Sequence, residues 1–195
     1  VSKTVRISSL LLFPMMVGLA AVAEPLVSLL LTDKWLECVP YLQIFAIGYL
    51  FQAIQLAIIQ AIKAIGDSGT PLKLEIIKKC VEVFFLIVTI RQGVLIFASS
   101  LLICSVISHL LNMFAAKRIL NYTVKQQLID ILPATLFSAV MAACVKCVTQ
   151  LLNGAFVSLV AGIATGVAVY LLLCMLFRVP EIKQLKNKLF KRKHA

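Results

Sequence analysis

The sequence predicts an all-α, polytopic membrane protein with six transmembrane helices and both termini in the cytoplasm. Three observations carry that prediction. The first is composition: of 195 residues, 62% are apolar and 14% charged, and the mean hydropathy is +1.03. A soluble domain of this size is nearer half apolar and a quarter charged. One small core cannot hide so many apolar side chains, so lipid must solvate the outer surface. That excludes a soluble enzyme, a disordered tail and a disulfide scaffold. The second observation is six apolar stretches close to the roughly 20 residues that cross a bilayer. The third is the one-sided placement of the basic residues.

The first span covers residues 7–31 and contains Pro14 and Pro25. A proline removes one amide donor and clashes with the preceding turn. The stretch therefore reads as a membrane helix to residue 23, with a turn or two from Pro25 to Leu31 continuing at the surface. Trp35 and Tyr41 follow, as expected at a membrane–water interface. The second span, residues 39–64, ends in a turn rich in glycine, aspartate and serine at Gly66-Asp67-Ser68-Gly69. Thr70 then reads as the cap of the next helix, with Pro71 at its first position.

The third span, residues 72–90, carries Lys73, Glu75, Lys78, Lys79 and Glu82 in its first half. It crosses if those charges sit among head groups and the lysines snorkel. Arg91-Gln92-Gly93 turns the chain into the fourth span, residues 94–116. Thr123 and Gln126 have capping-box spacing, which predicts a short helix with Val124, Leu128 and Ile131 on the membrane surface. The fifth span is 132–152, starting at Pro133. After a turn at Asn153-Gly154 comes the sixth, residues 155–177. Its Gly162 and Gly166 have the small-xxx-small spacing that allows close helix contact, and glycine merely tolerated in a membrane helix fits equally. Residues 1–177 thus form one six-helix membrane domain. Residues 178–195 form a basic cytoplasmic tail, either an in-plane helix or partly disordered.

The charge distribution tests the count. With six spans, sixteen of the nineteen Lys and Arg residues fall on one side, leaving only Lys34, Arg91 and Lys146 on the other. Positive residues mark the cytoplasmic face. A miscount of one helix would mix the two groups. Topology also accounts for the net charge of +11 without a nucleic-acid partner.

Ionisable or strongly polar residues inside a membrane are functional candidates. Here they are Glu24, Gln52, Gln55, Glu82 and His109, each with a structural alternative. Glu24 also fits an outer-interface carboxylate. Glu82 lies four residues after Lys78, the spacing of a local ion pair. His109 could carry protons or contact a phosphate, or simply bond a neighbouring helix. The glutamines suit either a sugar-like cargo or inter-helix bonds. Cys144-x-x-Cys147 inside an apolar helix is a weak redox or metal signal without a second pair. No phosphate-binding glycine loop, serine elbow or metal-ligand cluster is legible, so neither an enzymatic activity nor a cofactor or metal is expected.

The stretch from Phe13-Pro14-Met15-Met16-Val17-Gly18 through Glu24-Pro25-Leu26-Val27-Ser28 to Thr32-Asp33-Lys34-Trp35 resembles one in bacterial polysaccharide flippases. Pro40-Tyr41-Leu42-Gln43-Ile44, Gln60-Ala61-Ile62-Lys63-Ala64-Ile65-Gly66 and Leu72-Lys73-Leu74-Glu75-Ile76-Ile77-Lys78-Lys79 extend the resemblance to about residues 13–79. These are the O-antigen and exopolysaccharide transporters of the multidrug/oligosaccharidyl-lipid/polysaccharide exporter superfamily. The resemblance implies the last six helices of a two-lobed protein in the bacterial cytoplasmic membrane. It implies a lipid-linked oligosaccharide of the polyprenyl pyrophosphate type as cargo, membrane lipids as surroundings, and a missing N-terminal lobe or partner half. The chain is then incomplete on its own and moves cargo by alternating access only with that partner. A drug or lipid exporter of the same superfamily, or a non-transporting truncated membrane protein, are the alternatives. Lys78, Lys79, Lys117 and Arg118 are the candidates for attracting the carrier phosphate, against a role for each in topology alone.

Overall fold

A computed structural model describes residues 1–152 and 154–177 of the chain. The basic tail and Asn153 lie outside the described residues, so the turn and tail predicted there are not addressed. Among the described residues there are eight α-helices and no strand: α1 (Ser2–Ala21), α2 (Ala23–Leu31), α3 (Val39–Gly48), α4 (Gln52–Ala64), α5 (Gly69–Thr89), α6 (Val94–Leu120), α7 (Val124–Leu151) and α8 (Ala155–Leu176). Short 3-10 turns at Asp33–Cys38 and Tyr49–Phe51 lead into α3 and α4.

The burial pattern is that of a membrane protein. Large apolar side chains point outward along the spans, among them Leu11, Ile87, Leu151 and Leu172, while Ser9, Gln55, Asn112, Gln127 and Ser138 are buried. Among the described residues, five stretches are long and apolar enough to cross a membrane: Ser2–Ala21, Asp33–Ala64, Val94–Leu120, Val124–Leu151 and Ala155–Leu176. The predicted third span, α5, has the length at 21 residues, but its first half holds the five charges noted above.

The first span breaks at Val22, just before Glu24-Pro25, as the proline predicts. Pro14 leaves α1 unbroken. It has no N–H to give to the Leu10 carbonyl, and the Tyr170 hydroxyl of α8 donates to that carbonyl instead, at 2.6 Å. At the α1–α2 break, the Gln43 amide of α3 donates to the Ala20 carbonyl at 3.2 Å.

Three expectations need correction. The second span is not one helix: the Gln52 amide bonds the Tyr49 carbonyl rather than that of Gly48, so the ladder tightens to 3-10 geometry in mid-span. Residues 124–131 are not a separate surface helix. They are the first turns of α7, because Thr123 caps that helix with the predicted Gln126 contact, Gln126 Oε1 accepting from the Thr123 amide at 3.1 Å. Pro133 then sits inside the helix, and Ile131 is buried rather than on the surface. Finally, Thr70 is not the cap of α5. Ser68 holds the cap position, and the acceptor comes from Asp67 just before it, which accepts from the Thr70 amide at 2.9 Å and its hydroxyl at 2.6 Å. Those bonds hold the half-buried Asp67 carboxyl below its ordinary pKa.

Two apolar cores hold the helices together. One gathers Val5, Phe13, Ile54, Ile58, Ile62, Leu74, Ala116 and Ile131 from α1, α4, α5, α6 and α7. The other gathers Val22, Met141, Val145 and Leu159 at the α1–α2 break and on α7 and α8. Close contact here depends on the two α8 glycines, both buried. A Cβ on Gly162 would lie 3.0 Å from Thr149 Cγ2 and 3.1 Å from Val22 Cγ1. Both neighbours are branched at Cβ and rotate little to make room. A Cβ on Gly166 would meet Val145 at 3.3 Å.

Two predictions follow from this packing. Gly162→Val should lower stability by about 1–3 kcal/mol through overpacking, and Gly166→Ala by less than Gly162→Ala. Thermal unfolding in detergent measures both, and equal values for the two alanine variants would contradict the packing described. Tyr170→Phe should cost about 1–2 kcal/mol, because it strips the Leu10 carbonyl of its donor. In a Pro14→Ala background, which restores the backbone donor, the same change should cost clearly less. The double-mutant cycle reads that coupling directly.

Candidate functional site

The break in the second span creates the candidate site. Where α3 passes into α4, the Ser105 hydroxyl of α6 donates to the Gly48 carbonyl at 2.6 Å. Three residues into α4, Gln55 accepts from the Asn112 amide of α6 at 3.0 Å. A cleft of about 390 Å³ lies beside the break, between α3–α4, α5 and α6. Its polar lining is Gln52 and Gln55 from α4, Glu75, Lys78, Lys79 and Glu82 from α5, and Ser105 and Ser108 from α6.

The predicted Lys78–Glu82 pair is not formed. Lys78 bonds Glu75 at 2.7 Å and Lys79 bonds Glu82 at 2.6 Å, each over three residues. Lys78 lies on the inner face of α5, where its side chain is 6% exposed while that of Glu75 is 49% exposed. Lys79 and Glu82 stand more openly. The cleft therefore presents one buried ammonium, one accessible ammonium and two carboxylates, with amides and hydroxyls opposite. That set can hold a polar or anionic group inside an otherwise apolar bundle.

The structure thus brings together five of the predicted residues: Gln52, Gln55, Lys78, Lys79 and Glu82. His109 adjoins them on α6. It is 7% exposed and stacks on Phe51 of the 3-10 turn with ring centroids 4.4 Å apart. Its Nδ1 has no hydrogen-bond partner, so a bond from that nitrogen to a neighbouring helix is not what holds it. Glu24 lies elsewhere, lining a second cleft of about 380 Å³ with Asp33, Gln43, Lys146 and Gln150. Lys117 and Arg118 are exposed in the last turn of α6 and do not line the first cleft.

Ser105, Ser108 and Asn112 were not among the candidates read from the sequence. Their signal was legible: with His109 they occupy positions i, i+3, i+4 and i+7 of an apolar helix, one polar stripe. Asp130 was missed for a different reason, since residue 130 reads as part of a surface segment. It is buried and binds Arg6 at 3.3 Å, the Tyr122 hydroxyl at 2.6 Å and the Ser2 hydroxyl. Burial, and then the Asp130 carboxylate, raise the pKa of Tyr122 above its ordinary value, so the phenol remains a donor. This cluster ties the start of α1 to the α6–α7 junction.

The two ion pairs should differ in energy. Glu75→Gln leaves the buried Lys78 ammonium uncompensated and should cost roughly 1–3 kcal/mol, allowing for the solvent that half-exposed Glu75 already sees. Replacing both partners, Glu75→Gln with Lys78→Met, should recover most of that loss. Glu82→Gln should cost less than about 1 kcal/mol. Thermal unfolding of the three variants checks the order.

Comparison with known proteins places this geometry in context. Residues 1–40 match the family model described as polysaccharide biosynthesis protein. No curated protein sequence matches the chain. Among solved structures, the fold superposes on the lipid II flippase MurJ in an inward closed conformation with a TM-score of 0.77 and 21% identity. The match covers 91% of this chain and 38% of the flippase chain, so the chain spans well under half the length of that relative. This multi-pass chain thus has the fold of part of a lipid flippase and, over its first 40 residues, the sequence signature of polysaccharide biosynthesis proteins.

Proposed function

We propose that this chain supplies part of the transport cavity of a flippase for lipid-linked oligosaccharide. The observation that carries the reading is the polar cleft beside the broken second span. Interrupted helices frame polar substrate sites in membrane transporters, because irregular backbone is tolerated at membrane depth only where it lines a cavity or is buried in protein. A glycan pyrophosphate on a polyprenyl carrier joins an anionic, strongly polar head to a hydrocarbon chain. Lys78 and Lys79 suit the head inside the cleft, while Gln52 and Gln55 suit sugar hydroxyls. Lys117 and Arg118, with the other basic residues on their side, suit the first attraction of the carrier to the cytoplasmic leaflet of the bacterial inner membrane. The remaining helices of the flippase would complete the cavity, and alternating access would come from rocking one unit against the other.

The test is carrier binding and flipping by the complete protein in liposomes. Lys78→Gln with Lys79→Gln should weaken binding of undecaprenyl pyrophosphate about tenfold, equivalent to about 1.4 kcal/mol. Lys117→Gln with Arg118→Gln should slow carrier capture a few-fold and flatten its salt dependence. A folded Lys78/Lys79 double variant that binds and flips like the wild type would overturn the assignment of the cleft.

A further inference from the structure

We propose that His109 is a proton-binding site whose charge state sets the arrangement of the α3–α4 break. The observation behind this is a pair of unsatisfied atoms. His109 Nδ1 and Asn112 Oδ1 are both buried without a hydrogen-bond partner. Asn112 is wholly buried, and His109 is 7% exposed. Buried polar atoms left unpaired are uncommon and point to a missing proton, water or ligand. The two residues are three apart on α6, so they share one helix face. With the single proton of neutral imidazole on Nε2, each atom is an acceptor facing no donor. A proton on Nδ1 converts one of them into a donor, and the pair can then satisfy each other directly or through one water.

The consequence reaches the break through two contacts. The His109 ring stacks on Phe51, the last residue of the 3-10 turn. An imidazolium over that ring adds a cation–π attraction that neutral imidazole lacks. The Asn112 amide, for its part, is bonded to Gln55 on the far side of the turn. Reorienting Asn112 toward His109 pulls on Gln55, and Gln55 lines the cleft. A mid-helix 3-10 turn is a ready two-state element, because its residues can exchange i+3 for i+4 bonding.

Other titratable groups do not supply this response. From α5 the cleft brings Glu75, Lys78, Lys79 and Glu82, which are already paired with one another. The turn itself brings Tyr49 and α6 brings Cys104. The remaining titratable groups of α3 and α4 are Tyr41 and Lys63, near the far ends of those helices. On α1, Phe13 meets Phe51 edge to face, and Arg6 is engaged with Asp130. On α7, Lys125 and Asp130 belong to the helix start beside the α6–α7 junction. Of all these side chains, only imidazole has an ordinary pKa between pH 5 and 8.

The inference rests on the cleft reading only for where the change is felt, and its test needs no cargo. In protein reconstituted in nanodiscs with isotope-labelled histidine and every histidine other than His109, His194 among them, replaced by glutamine, one imidazole remains. Its nitrogen shifts should move through one reversible step between pH 4 and 8. Asn112→Asp should raise the midpoint by about one unit, since a charged acceptor favours the imidazolium. In a cysteine-free background, thiol labelling of Tyr49→Cys should change about threefold across the same step, as expected for a shift between comparably populated states. His109→Gln should abolish that change. An imidazole that does not titrate, a midpoint unmoved in Asn112→Asp, or a labelling step that survives His109→Gln would overturn the proposal. The titration of the otherwise unaltered protein decides the matter if His109→Gln fails to fold. Failure here leaves the carrier-binding assignment standing, and loss of carrier binding leaves this titration unchanged.

Discussion

A backbone carbonyl in hydrocarbon has no water to accept from, and the architecture of this protein is organised around that constraint. The spans are interrupted repeatedly, by prolines, 3-10 turns and helix junctions. At each of several interruptions a side chain from another segment supplies a donor. Tyr170 serves the carbonyl that Pro14 leaves unpaired, Gln43 serves Ala20, and Ser105 serves Gly48. Gln127 bonds the Tyr122 carbonyl at the α6–α7 junction at 2.8 Å, and Ser158 bonds Leu152 after α7 at 3.0 Å. The first three also specify which helices must be neighbours. Apolar packing against lipid-like surroundings gives little preference among partners, whereas an orphaned carbonyl accepts only a donor at the right depth.

The same device yields the candidate site. Polar side chains recruited to repair a broken helix are polar side chains already inside the bundle. Ser105 and Gln55 both stabilise the α3–α4 region and line the cleft beside it. The charges of α5 complete it. Lys78 is tolerated there because Glu75 is one turn away, and a buried charge without a partner would otherwise be among the most costly features a helix can carry in this setting.

The sequence and the structure part company at identifiable places. The Pro25 break, the capping box at Thr123 and Gln126, and the close contact at Gly162 follow from local chemistry, and they are found. The α3–α4 break carries no proline and no strong local signal. It depends on Ser105, 57 residues away, so no window along the chain reveals it. The Lys78–Glu82 spacing suggested an ion pair, but helix rotation within the bundle turned Lys78 inward, and Glu75 was the carboxylate within reach. Residues 124–131 read as amphipathic, which describes a surface helix and the partly buried first turns of a span equally well. Their burial against α1 settles the difference, with Asp130 fastened to Arg6.

By itself, the sequence determined the class of solvent around this protein, the break before Pro25 and the pool of polar residues available inside it. Those properties are local: hydropathy, proline, glycine and capping residues act within a few positions of where they stand. Tertiary structure alone decided which of those polar residues meet. Gln52, Gln55, Lys78, Lys79 and Glu82 gather at one cleft, Glu24 lines another, and Lys117 and Arg118 stand exposed apart from both. Depth and rotation of each helix set that grouping. Both are fixed by inter-helix donors meeting unpaired carbonyls and by glycines that let two helices touch, and each of these requires knowing the neighbour.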